Sequence, residues 1–514
     1  MNPEAAIFYK KKALAERLLK IPVEDLKIAP KQSWYGEYLA LLAIRLENPL
    51  INFLKKDFIE ELRGFYEQNL EKSERELALL GMIQFVEPTE IKIPFNMHLW
   101  HKRFILDLQS VFLNQFIYPN YSDAEIATYY LARQKNWRPE KRKIRAVFLV
   151  HARAVCDKIF PVYEAMKERE DFEAFLVVHS ESDFKYNENS RSYFYNRYPN
   201  DKIYDYGLMD LRKLNPDYVF LTNPYESRRN FPSFRVNDIV KFAKVCMISY
   251  GATLSSAFAE RLFDDFPNFY RNIYLFFASA EGVKNILDKK FSQEISAGYK
   301  HVEFFGYPIL KNYYRPEKKS SAAKNILWAP RWLYDERWGG SHFLEYKNNF
   351  IALRGKYGAK IKLTFRPHMR LFRDLISKNL MTEQEVEDYK NFLKENHVIY
   401  QADMSDMDKN IRDVDIFICD YSSVMICFFL TGRPIIYCEF PNAKPFPEYE
   451  EMFSAMYIAR SWKDVENYLD ELIKGNDILS EKRSKVAKKI FDTHKDATEK
   501  IIGRIVQDFN QSLA

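Results

Sequence analysis

From about residue 144 the chain alternates short apolar runs with amphipathic or polar segments. RAVFLVH, FEAFLVVHS, DYVFLTN and KVCMISYG are dense in β-branched and aromatic residues and read as strands. Between them, DKIFPVYEAMKERE and a segment near 235–243 have the three-and-four spacing of helices. Strands apolar on both faces and separated by helices predict a parallel sheet covered on both sides. A second series starts near residue 324 with NILWAPRW, KIKLTFRPH, HVIYQA, VDIFICDYSS and RPIIYCEF. The stretch between the series, HVEFFGYPILKNYYRPEKKSSAAK, is rich in Pro, Ser and Lys and reads as a linker.

Residues 1–140 carry a different pattern. ALAERLLK, YGEYLALLAIRLENPLINFLKKDFIEELRGFYEQNL and HKRFILDLQSVFLNQF keep helical spacing, and the basic NWRPEKRKIR (136–145) closes the region. The expected α/β architecture is therefore a mainly helical region over 1–140, then two Rossmann-like units over 141–315 and 316–514, the latter including the C-terminal helices. Ligands of open α/β sheets bind beyond the carboxyl ends of the strands, which places a cleft between the two units. No internal repeat or low-complexity segment interrupts this plan.

Composition narrows the function classes. At 514 residues the chain exceeds one ordinary core, and 47% apolar with 29% charged residues is the balance of a folded protein. The net charge of +6, from 77 basic and 71 acidic residues, is too mild for a nucleic-acid binder and better suits a small anionic ligand or a membrane surface. Lys10, Lys11, Lys12, Lys55 and Lys56 recur along the N-terminal helices. They fit a membrane-surface role, although solvated faces of ordinary helices are the simpler reading. Cys156, Cys246, Cys419, Cys427 and Cys438 form no CxxC pair and lie mostly in apolar runs, which predicts buried, reduced thiols. MNPEAAIFYKKKALAERLLK has charges where a signal peptide needs an apolar core. No run approaches the roughly 20 apolar residues of a membrane span. A cytoplasmic protein is expected, with peripheral attachment to the inner face of the membrane left open.

The chemistry-bearing residues gather at strand ends. Asp420-Tyr421-Ser422-Ser423 follows VDIFIC and precedes the apolar VMICFFL. Hydroxyl residues at such a strand-to-helix turn either cap the helix or help its free N–H groups hold a phosphate. KLTFRPHMR puts Arg366 and His368 at another strand end, where Arg binds phosphate in bidentate fashion and a protonated imidazole stabilises charge on a leaving phosphate. Arg331 ends NILWAPRW, Gly306 lies in a Gly-Tyr-Pro turn between the units, and Arg433 follows the serine turn. NPYESRR (223–229) and ISYGATL (248–254) end strands of the first unit and face the cleft from the other side. GxxxxGK[ST], GxGxxG, HExxH and GxSxG are all absent. Asp413-Val414-Asp415 precedes a strand instead of ending one, so no metal site and no permanently bound cofactor are expected.

These stretches together resemble the CDP-glycerol glycerophosphotransferase family, of the teichoic-acid primase and polymerase type, over roughly 144–490. VCDKIFPVYEAMKERE resembles the family's opening strand–helix unit, FFGYPIL its interdomain Gly-x-Pro, NILWAPRW its Tyr-Ala-Pro-Thr-x-Arg strand, and TFRPHM its Arg-x-His-Pro. SDMDKNIRDVDIFICDYSSVMICFFLTGRPIIYCEF resembles its Asp-Met…Asp-x-x-Ile-Thr-Asp-Tyr-Ser-Ser…Arg-Pro-Ile block.

The resemblance implies a glycosyltransferase-B fold with an acceptor-side first unit and a donor-nucleotide second unit. It also implies a CDP-linked polyol donor, and a glycan or lipid-linked acceptor. Arg366, His368, Ser422 and Ser423 would contact the donor diphosphate, with Arg331, Gly306 and Arg433 on the donor side, and Asp420 would orient the turn. Two departures stand out. Where the family has His-Gly-Thr-Pro-Leu, with the His as general base, this chain has Tyr250-Gly251-Ala252-Thr253-Leu254. A phenol with a pKa near 10 is a poor base at neutral pH, so His151, Asp157 or Glu226 would have to accept the proton, or the acceptor differs. Met369 replaces the proline after His368. The rivals are a nucleotide-sugar glycosyltransferase or epimerase on the same fold, and a binding protein that has lost turnover.

Overall fold

Strands apolar on both faces need cover on both faces, and the chain supplies it twice. The structure, a computed structural model, describes residues 123–135, 139, 141–150, 158–178, 190–205, 211–226, 229, 234–315, 323–332, 340–368, 370–401, 411–440 and 444–513. Helix α1 (Asp123–Lys135) is the described part of the N-terminal helical region. The helices expected over 1–122, with their lysines, lie outside the described residues, as do Cys156, His151, Asp157 and Met369.

The first unit is a seven-stranded sheet of order β3-β2-β1-β4-β5-β6-β7. Its strands are β1 (Ile144–Val150), β2 (Phe172–Val178), β3 (Ile203–Asp205), β4 (Tyr218–Leu221), β5 (Lys244–Ile248), β6 (Leu275–Phe277) and β7 (His301–Glu303). The second is six-stranded, of order β10-β9-β8-β11-β12-β13. It contains β8 (Lys324–Ala329), β9 (Ile361–Phe365), β10 (Ile399–Tyr400), β11 (Ile416–Cys419), β12 (Ile435–Cys438) and β13 (Tyr457–Ala459). Every pairing is parallel. Both orders reverse direction beside the first strand of the unit, and this topological switch point is where such sheets bind ligands. The expected two-unit glycosyltransferase-B architecture is therefore present. Strands β3, β6, β7 and β13 were not read from the sequence. Each is three residues long, too short to show a period.

Side chains of β8, β11 and β12 alternate between two cores. Leu327, Phe417, Cys419, Ile435 and Tyr437 join the apolar cluster that fills the first unit. Ile326, Trp328, Ile416, Ile418, Ile436 and Cys438 point the other way into a separate cluster. The two units thus share one continuous apolar cluster. Cys246, Cys419, Cys427 and Cys438 are buried.

Helix α2 (Phe160–Lys167) covers the first sheet, and the short α3 (Val424–Phe429) follows the serine turn. Near the C-terminus, α4 (Ser480–His494) hands over to α5 (Ala497–Leu513). The sequence reading gave both helices to the second unit, but α5 packs against α2 of the first. Its buried Asp508 accepts hydrogen bonds from Lys244 (2.7 Å), Tyr218 (2.6 Å) and Tyr274 (2.8 Å). The chain therefore crosses between the units twice, and the crossings touch. Gly306, at φ +100°, lies so close to α4 that a Cβ would sit 2.8 Å from the Cα of His494. The Tyr307 N–H donates to His494 Nδ1 at 2.8 Å, and Tyr314 stacks on Phe491 with ring centroids 4.3 Å apart.

Candidate functional site

Beyond the carboxyl ends of the strands at both switch points lies a cleft of about 190 Å³ walled by the two units. The second unit supplies Arg331 and Trp332 from the end of β8, Arg366 and His368 from the end of β9, and Tyr421, Ser422 and Ser423 from the end of β11. The first unit supplies Thr222, Pro224 and Tyr225 after β4 and Ser249, Tyr250 and Gly251 after β5. Adjacent parallel strands end side by side, which is how residues far apart in sequence converge here.

Beneath the serine turn sits Asp420, fully buried. Its carboxylate accepts the Arg331 N–H at 2.8 Å and the His342 N–H at 3.4 Å, and it pairs with His342 Nδ1 at 2.7 Å. The carboxylate ties the end of β11 to the end of β8 and does not line the cleft, so Asp420 acts by holding the turn. His342, stacked against Phe440 and Tyr346 at ring-centroid distances of 4.2 and 4.9 Å, has no sequence signal of its own. His342, Asp420 and Cys438 bring possible metal-ligand atoms within 4.8 Å of one another. Both Asp420 oxygens are already hydrogen-bonded, however. Burial, helped by the Asp420 charge, pushes the Cys438 thiol well up. The group is a hydrogen-bonded Asp–His pair with a neutral thiol beside it.

Ser422 and Ser423 both reach the cleft. Ser423 occupies the N-cap position of α3 without making a side-chain cap, while Ser422 Oγ accepts the Val424 N–H at 3.3 Å. Capping is thus left to one serine, and the other is presented to the cleft. Tyr421 reaches across, its hydroxyl accepting the Leu254 N–H of the first unit at 3.2 Å. Burial pushes its phenol up to about 12. The Arg331 guanidinium lies over the Tyr421 ring at 5.5 Å.

His368 differs from expectation. Its Nδ1 accepts the Arg370 N–H at 3.2 Å, which leaves Nε2 as the N–H donor of a neutral ring. Burial, reinforced by Arg370, Arg331, Arg366 and Arg373, pushes its pKa down to about 3. It is therefore not the protonated imidazole read from the sequence: the cations that would attract an anion also keep its proton off.

Two sequence candidates fall elsewhere. Gly306 does not line the cleft but packs under α4, where only the absence of a Cβ permits the contact. Arg433 turns away as well, its guanidinium donating to the carbonyls of Ile411 (3.2 Å) and Arg412 (2.7 Å). It satisfies backbone acceptors ahead of β11 and binds the chain, not a ligand.

On the first-unit wall, the Tyr250 and Tyr225 hydroxyls are 3.0 Å apart. Tyr270, fully buried, also lines the cleft, and its hydroxyl makes no hydrogen bond. Glu226, one substitute base, is engaged elsewhere. It pairs with Arg229 and accepts the Val236 N–H at 3.0 Å, outside the cleft, while burial raises its pKa. Sequence reading pointed to the stretches holding Tyr225 and Trp332 but gave no sign of Tyr270 or Phe258. Their chemistry is that of ordinary core aromatics until the fold places them here.

Two parallel doubly wound sheets with a cleft at their switch points make up the glycosyltransferase-B architecture. Residues 305–507 match the family model described as CDP-Glycerol:Poly(glycerophosphate) glycerophosphotransferase. Over those residues the chain is similar to this family. The matched span holds Arg331, Arg366, His368 and the whole serine turn, whereas the opening strand–helix unit lies before it. No curated protein matches the sequence. Among solved structures, a UDP-N-acetylglucosamine 2-epimerase is 14% identical, covering 72% of this chain and 97% of its own, with a TM-score of 0.49. A putative UDP-N-acetylglucosamine 2-epimerase from Listeria monocytogenes has the same identity and coverage at a TM-score of 0.46. The wall teichoic acid polymerase TagF is 13% identical, covering 81% of this chain and 99% of its own, with a TM-score of 0.47. No helix of the described residues is long and apolar enough to cross a membrane.

Proposed function

We propose that the protein transfers a polyol phosphate, glycerol phosphate or a close relative, from a CDP-linked donor to an acceptor hydroxyl on a glycan or lipid-linked glycan. The observation that carries this is the placement of Arg331, Arg366, His368 and the serine turn on one wall of the cleft, within the family-matched residues. The guanidinium groups of Arg331 and Arg366, the His368 Nε2–H and the Ser423 hydroxyl suit the two phosphates of such a donor. The acceptor oxygen attacks the polyol-bearing phosphorus and a new P–O bond forms. The bond from that phosphorus to the oxygen bridging to CMP breaks, CMP leaves with the electron pair, and the acceptor proton is released. Phosphoryl transfer asks mainly for alignment and charge neutralisation, which this wall provides. A diphosphate also offsets the four guanidinium groups around His368, and the Nε2–H donates to the oxygen on which negative charge builds as CMP leaves. A lipid-linked acceptor would bring the protein to the inner face of the cell membrane as a peripheral protein.

A thermal-shift and turnover screen of CDP-glycerol and CDP-ribitol against UDP-sugars tests the donor. Stabilisation by cytidine diphosphate compounds, with CMP released in the presence of an acceptor, is expected. Stabilisation by uridine compounds alone, with UDP release, would replace this reading with a sugar transferase or epimerase on the same fold.

A further inference from the structure

Asp420 poses a problem that the cleft residues do not solve. A buried carboxylate just ahead of a turn that is to hold a phosphate repels that phosphate unless its own oxygens are filled by donors. Three described donors meet it, and two of them belong to His342. The His342 backbone N–H reaches one oxygen at 3.4 Å, and its ring Nδ1 reaches the other at 2.7 Å. The third donor is the Arg331 N–H, at 2.8 Å. A carboxylate only accepts, so the ring presents Nδ1 with its proton. Of the three bonds this is the shortest and the one a side chain makes, hence the one a substitution can remove. The ring itself is held from behind. His342 opens the helix Phe343–Tyr357, and its carbonyl accepts the Tyr346 N–H at 2.9 Å. Four residues on and therefore on the same helix face, the Tyr346 ring stacks on the imidazole at 4.9 Å and 16°. Phe440, just past β12, packs against the imidazole at 4.2 Å, and Gly340, at φ +42°, leaves it the space a Cβ would fill. None of His342, Tyr346, Phe440 and Asp420 lines the cleft.

We propose that His342 is a positioning residue for the phosphate-holding wall. Through Nδ1 it sets the Asp420 carboxylate, and the carboxylate sets the Arg331 backbone and the start of the serine turn, both of which face the cleft. This role rests on the reading of that wall as a donor-phosphate site. A histidine that merely filled the core would need the two aromatic rings but not the carboxylate, and its loss would lower stability without touching ligand affinity. A helix start and two rings hold the imidazole with the stiffness that a group acting at one remove from a ligand requires.

Titration calorimetry of the full chain with inorganic pyrophosphate reads the wall without turnover, and CDP-glycerol is titrated beside it. His342→Leu removes the donor and should weaken pyrophosphate binding about tenfold, the worth of one hydrogen bond to a charged group. His342→Asn carries an amide N–H near the place of Nδ1 and should keep most of the wild-type affinity, although it loses the stacked ring. A spectrum of the wild-type chain with isotope-labelled histidine gives a readout that does not depend on the Leu variant folding. The Nδ1 proton signal of His342, assigned by its loss in His342→Asn, should move when pyrophosphate is added. Wild-type affinity in folded His342→Leu, equal losses in the Leu and Asn variants, an Nδ1 signal indifferent to pyrophosphate, or no pyrophosphate binding by the wild type would each overturn the proposal. CDP-glycerol binding and CMP release are read separately. Their absence with His342-dependent pyrophosphate binding intact would sink the donor reading and leave the positioning role standing.

Discussion

At the scale of single residues, His368 carries the most specific expectation. It stands among four arginines with its Nδ1 already used by the Arg370 N–H, so what it offers the cleft is Nε2. Replacing His368 by Ala should lower transfer at least about 100-fold, the usual weight of a positioned proton donor, while leaving the melting curve intact. Turnover near the wild-type value would remove the ring from the mechanism. Single residues also show where sequence was a sufficient guide. Arg331, Arg366, His368, Ser422 and Ser423 were legible because each ends a recognisable buried strand, and strand ends are where α/β clefts form. Arg433 and Gly306 sat in equally suggestive motifs, yet one satisfies carbonyls and the other makes room for a helix. Only the directions of their side chains and neighbours distinguish these jobs. Tyr270 and His342 were invisible because a core aromatic and a buried histidine look alike in sequence whether or not a cleft reaches them.

At the scale of elements, the turn at Gly306 and the end of α4 form one structural joint. Its key is neutral His494, whose Nδ1 accepts the Tyr307 N–H at 2.8 Å and whose pKa burial pushes down to about 4. The folded protein keeps this ring unprotonated, whereas the unfolded chain protonates it below its ordinary value of about 6.5. Stability from this group is therefore complete above pH 6.5 and declines as the pH falls toward 4, by at most about 3 kcal/mol. The lowered pKa of His368 acts in the same direction. Urea unfolding at pH 7 and pH 5 should show the loss, and His494→Asn, whose side-chain oxygen is an acceptor that does not titrate, should reduce it. An unchanged pH slope in that variant would remove His494 as the source. The alternation of apolar and polar runs predicted the long elements correctly, since period and flanking turns fix them. It could not assign α5 to a sheet more than two hundred residues away, because an amphipathic face records that it is covered but not by what.

At the scale of the whole molecule, the buried cluster of Asp508 with Lys244, Tyr218 and Tyr274 fastens the C-terminal helix to the first unit. Asp508→Ala leaves the Lys244 ammonium, 2% exposed, without its carboxylate and should cost about 3–5 kcal/mol in urea unfolding. Lys244→Met combined with Asp508→Leu should recover much of that loss, since replacing a buried pair by apolar groups is far cheaper than orphaning one member. A double variant no more stable than Asp508→Ala would show that the tyrosines, not the ion pair, dominate.

The paired crossings near Gly306 and His494 have a further consequence. Because α5 follows the second unit in sequence and completes the first in space, the first half of the chain is not self-sufficient. A break in the backbone between β7 and β8 would not set the halves adrift. The C-terminal piece would still carry the helix that packs on the first unit. Removing the last helix, by contrast, would strip the first sheet of its cover while leaving every cleft residue named above in the chain.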